Sequence, residues 1–66
     1  MMTISIKRLR RGMAEKGLSV SDVAKAMGVG EGTVRCWIRG TSIPRIGLWP
    51  RIEMLIPDVI VDEPDE

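Results

Sequence analysis

Ser19–Gly40, SVSDVAKAMGVGEGTVRCWIRG, is the stretch whose reading decides the fold. Ser19 and Ser21 offer N-caps, Val23, Ala24 and Met27 recur at helical spacing, and Gly28 ends the run, which predicts a short helix. Gly30 and Glu31 open a second helix almost at once. Val34, Trp37 and Ile38 give it an apolar stripe at i, i+3 and i+4, and Gly40 closes it. About three residues between the helices are too few for an antiparallel hairpin, so a steep crossing is expected. Ala24 is small where the helices must approach, Val29 plugs the turn, and Val34 with Trp37 anchors the second helix.

A tight turn between two such helices is the helix-turn-helix arrangement. The pattern Ala24, Gly28-Val29, Val34, Trp37 and Gly40, followed by Pro44, resembles the Cro and repressor-type helix-turn-helix of temperate phages and related bacterial regulators. The resemblance runs from about Ile6 to Ile56. It implies an all-α, lambda repressor-like DNA-binding domain of four or five helices, with the second helix of the pair in the major groove of a palindromic operator and a dimer as the acting species. It also places Glu31, Gly32 and Arg35 at positions that read bases, with Thr33 and Cys36 beside them. Val20 stands where many members have glutamine, so one familiar phosphate contact is missing.

Toward the amino terminus, Thr3 to Lys16 is expected as a first helix. Thr3 or Ser5 caps it, and Ile6, Leu9 and Met13 line its apolar face. Gly12 weakens that helix by up to about 1 kcal/mol relative to alanine, and Gly17 ends it. A strand through Thr3–Ile6 is the competing reading, on an alternation of four residues. Toward the carboxyl terminus, Thr41 to Arg45 reads as a loop and Leu48 to Ile56 as a fourth helix, with Pro50 tolerable in its first turn. Leu48, Ile52, Leu55 and Ile56 point to the core and leave Trp49 and Met54 at its edge. Pro57 stops the helix, and Asp58 to Val61 suits either one helical turn or a strand. Residues 1–61 are read as one domain, and Asp62 to Glu66 as an acidic, disordered tail.

Composition narrows the function. The chain has 66 residues, one cysteine and no histidine, which excludes an internal disulfide framework and argues against a zinc finger or other metal site. No apolar run approaches the roughly 20 residues of a membrane span, and a reducing cytoplasm, bacterial or that of a phage-infected host, is the expected location. No tyrosine, no histidine and no paired carboxylates leave little for acid–base chemistry, so neither an enzyme nor a cofactor is expected. Gly28, Gly30 and Gly32 lack the Lys-Ser/Thr ending of a phosphate loop. The net charge of +1 hides a division: up to Pro57, ten Lys and Arg face only Glu15, Asp22, Glu31 and Glu53, a net of +6, and the last nine residues hold five acids and no base. A basic domain with an acidic end suits a polyanionic partner.

Double-stranded DNA is the expected partner. Arg35 has a guanidinium to match the two acceptors of guanine, with Glu31, Gly32, Thr33 and Cys36 around it for base contacts. Ser19, Ser21, Lys25, Arg39, Thr41, Ser42 and Arg45 are the phosphate candidates. A homodimer contact is expected at Trp49, Met54, Val59 and Ile60. Two alternatives stay open: a DNA-binding antitoxin whose Val59–Glu66 segment engages a toxin, and a protein-interaction module on the same fold.

Overall fold

Caps set the helix boundaries in the computed structural model, which describes residues 2–62. The Ser5 hydroxyl accepts from the Arg8 N–H at 3.2 Å and starts α1, Ile6–Lys16. Ser19 starts α2, Val20–Met27, and Gly30 starts α3, Glu31–Arg39. Each of the three ends on a glycine in the left-handed region, Gly17, Gly28 and Gly40, at φ 67, 71 and 82. There a side chain would be strained, and the reversed backbone returns N–H groups to orphaned carbonyls, as from Val29 to Ala24 at 3.0 Å. A 3₁₀ turn at Ile46–Leu48 leads into α4, Trp49–Leu55, with Pro50 in the first turn.

The domain is mostly helical with four helices, but the all-α expectation needs correction. Thr3–Ile4 forms a strand, β1, and Ile60–Val61 a second, β2, paired antiparallel with Thr3 opposite Val61 and Ile4 opposite Ile60. The first helix accordingly begins at Ile6, not Thr3, because Ser5 is the residue that caps, and its own N–H goes to the Val59 carbonyl at 2.8 Å. Asp58, at φ 76, turns the chain back after α4, and the Arg8 guanidinium donates to its carbonyl at 3.1 Å. The strand reading therefore holds for Thr3–Ile4 and for Ile60–Val61. Except for Asp62, the acidic tail lies outside the described residues.

One core joins these elements. Leu9 and Met13 of α1, Val23, Ala24 and Met27 of α2, Val34 and Trp37 of α3, and Ile52 and Ile56 at α4 are buried in it. Gly12 is buried as well, and a Cβ placed there would sit 2.5 Å from the Ile56 side chain, so the glycine lets α1 and the end of α4 approach. Leu48 and Leu55 pack against the core only in part. Val59 is a second correction: its exposure is 0%, so it belongs to the core and cannot serve a dimer contact. Among the described residues no helix is long and apolar enough to cross a membrane.

Candidate nucleic-acid interface

The back of α3 is held and its front is free. Val34 and Trp37 are buried, Trp37 at 2% exposure, and Ile38 packs half-buried beside them. Helical spacing then sends Glu31, Gly32, Thr33, Arg35 and Arg39 outward, and all five are exposed. Cys36 is half-buried with a free thiol. Arg35 and Arg39, four residues apart, share one face. The Arg35 guanidinium donates to Glu31 Oε1 at 3.2 Å, with side-chain exposures of 54% and 48%, so this is a solvated ion pair that an entering partner can rearrange.

Two glycines stand at the tip of this face. Gly30 has an ordinary extended conformation and Gly32 is helical, and a Cβ at either would meet nothing within 4 Å. Nothing inside the fold requires a glycine there. Gly30 also provides no side-chain cap, and its carbonyl accepts from the Thr33 N–H at 3.2 Å.

The start of α2 is arranged in the opposite way. Ser19 Oγ accepts from the Asp22 N–H at 3.1 Å, and Asp22 Oδ2 accepts from the Ser19 N–H at 2.9 Å. These backbone and hydroxyl hydrogen bonds from Ser19 hold the Asp22 carboxyl below its ordinary range, with Lys25 adding to the effect. The predicted phosphate residues Ser19 and Ser21 thus lie beside a fixed carboxylate, and Ser21 is half-buried. Lys25, on the same helix, is exposed.

Beyond α3 the chain runs along an open cleft of ≈ 340 Å³ lined by Val29, Thr33, Trp37, Ser42, Ile43, Arg45 and Leu48. Thr41, Ser42 and Arg45 are exposed along this segment, and the Thr41 hydroxyl donates to the Cys36 carbonyl at 3.2 Å. Pro44 is buried, and its carbonyl accepts from the Trp49 indole N–H at 2.8 Å. The structure therefore places Glu31, Gly32, Arg35 and Arg39 on the exposed side of α3 and Thr33 on its other flank, where it lines one cleft with Ser42 and Arg45. It keeps Ser19 and Ser21 on a separate, carboxylate-bearing helix start.

Of the remaining dimer candidates, Met54 is 86% exposed, whereas Trp49 and Ile60 are half-buried. In the Val59–Glu66 segment on which a toxin contact was to rest, Val59 is buried and Ile60–Val61 are paired, and residues 63–66 lie outside the described residues. Among the polar contacts that escaped the sequence reading are Trp49 to Pro44 and that of Arg51, which donates to the Met27 carbonyl at 3.4 Å and caps the end of α2 from α4. A Trp five residues after a Pro was the only available signal for the first, and the second had none. Among the described residues no group of His, Cys, Asp or Glu could hold a metal ion.

A short helix, a tight turn closed by Gly28 and a second helix with a buried back and an exposed, Arg-bearing front define a helix-turn-helix domain. Residues 6–42, from the start of α1 to just past α3, match the homeodomain-like domain model; this is more than half of the chain, and the protein belongs to that family. Neither curated proteins nor solved structures give a match. Family and fold together support DNA as the partner.

Proposed function

We propose that the protein is a sequence-specific transcriptional regulator of the lambda repressor-like, Cro type, which inserts α3 into the DNA major groove and represses by occupying a palindromic operator. The observation that carries this reading is the two-sidedness of α3: Val34 and Trp37 are locked in the core while Arg35 and Arg39 project together from the opposite face. Arg35 reads a guanine, released from or braced by Glu31, and Thr33 and Cys36 flank it. Gly32 contributes no side chain and lets the tip of α3 come close to the base edges. Arg39, Thr41, Ser42 and Arg45 hold the phosphates next to it, and Lys25 adds a cation from α2. Ser19 and Ser21 contribute less, because the Asp22 carboxylate repels an approaching phosphate.

One α3 covers one half-site, so two copies act together on half-sites about one helical turn apart. Met54, with Ala26, Arg51 and Leu55 around a shallow apolar depression, is the surface favoured for their contact. The test is selection of bound duplexes from a random pool, followed by mobility shifts at several salt concentrations. A regulator enriches one palindromic motif and binds it with a steep salt slope. No enrichment and no binding at low salt overturns the proposal.

A further inference from the structure

Trp49 lies outside the DNA-facing surface, yet it holds the segment that frames one side of it. The segment from Thr41 to Arg45 leaves α3 without helical or strand hydrogen bonding of its own, and hydrogen bonds at its two ends fix it, among them one from the Leu48 N–H to the Arg45 carbonyl at 2.9 Å. At its near end the Thr41 hydroxyl and N–H reach the Cys36 carbonyl at 3.2 and 3.1 Å. At its far end the Trp49 indole N–H reaches the Pro44 carbonyl at 2.8 Å, the shorter and part-buried contact. Pro44 is fully buried and Trp49 opens α4, so this hydrogen bond ties the segment to the core one residue before Arg45. Ser42 and Arg45 then line the same cleft as Thr33, together with the apolar Val29, Trp37 and Leu48.

We propose that Trp49 is a positioning residue for DNA binding: its indole N–H, through the Pro44 carbonyl, holds Ser42 and Arg45 where one backbone phosphate docks beside α3. This rests on the DNA-binding reading above. Half-burial and the satisfied N–H suit Trp49 to this role better than to the dimer contact expected from the sequence. A cation that is already placed binds a phosphate without first ordering its loop, and that ordering is the cost the hydrogen bond removes.

Trp49→Phe keeps an aromatic ring against the core and removes the donor together with the five-membered part of the indole. On a mixed-sequence duplex of about 30 base pairs, the slope of log affinity against log salt should become shallower by about 0.9, the increment of one phosphate contact, while thermal melting shows the variant folded. Arg45→Ala should give the same loss, and the double variant should lose little more than either, because both act on one contact. A wild-type slope in Trp49→Phe, or full additivity with Arg45→Ala, overturns the proposal and leaves DNA binding standing. Absence of salt-dependent binding by the wild-type chain overturns both. Independently of any variant, the Trp49 indole proton should exchange slowly with solvent in the free protein; exchange as fast as a free indole contradicts the bond on which the role depends.

Discussion

Arg35 and Arg39 are both exposed on the front of α3, yet their proposed work differs. Arg35→Ala should relax preference at one base position in each half-site, a discrimination of about 1–3 kcal/mol, as read by repeating the duplex selection. Arg39→Ala should weaken all sequences alike and reduce the salt slope by about one phosphate contact. Gly32 makes a sharper case, because fold and function pull in opposite directions. A Cβ there meets nothing and its helical backbone accepts alanine, so Gly32→Ala should raise stability by up to about 1 kcal/mol in thermal or denaturant unfolding. In the same variant, affinity for the selected duplex should fall, since the new methyl points toward the base edges. The orientation of these residues was legible in the sequence, because Val34 and Trp37 at helical spacing determine which face is buried. Ser19 as the N-cap of α2 was legible in the same way and is what the structure shows; its closure onto Asp22 through Ser-x-x-Asp spacing was readable too, and it sets a carboxylate beside the serines also expected to contact phosphate.

At the scale of elements, that cap ties the stability of α2 to pH. The Asp22 carboxyl has a lowered pKa in the folded protein, so its contribution is complete above the ordinary aspartate range and is lost as pH falls through the folded value. Melting temperature should accordingly decline toward acid pH, and the decline should be shallower in Asp22→Asn, which has no carboxyl to titrate there. The junction of α1 with the end of α4 gives a second prediction. Propensity alone says that Gly12→Ala stabilises α1, but the added Cβ would lie 2.5 Å from a branched, buried Ile56. The variant should lose about 1–3 kcal/mol in denaturant unfolding, and the loss should shrink in an Ile56→Ala background. Gly12 looked like a weak point of a helix in the sequence. Only the packing reveals it as the place where two elements meet.

Across the whole molecule, what could be read in advance was what is local. Helix ends at Gly17, Gly28 and Gly40, the burial of Trp37 and the exposure of Arg35 all follow from residues within a turn or two of one another. The β1–β2 pair does not, because Thr3–Ile4 and Ile60–Val61 are two residues each and lie at opposite ends of the chain. Neither carries enough alternation to announce itself, and Val59 then enters the core as a consequence of the pairing and not of any helical period. The same limit applies to Trp49, whose partner is chosen by the fold of the loop before it. These long-range contacts join the two ends of the described chain and leave the front of α3 exposed, the arrangement on which the proposed DNA recognition depends. Amide chemical-shift mapping by nuclear magnetic resonance, with the selected duplex titrated into the labelled protein, tests that arrangement most directly. The largest changes are expected at Glu31–Arg39 and along Thr41–Arg45, and changes confined to α1 or α4 with the front of α3 unmoved would contradict DNA docking at α3.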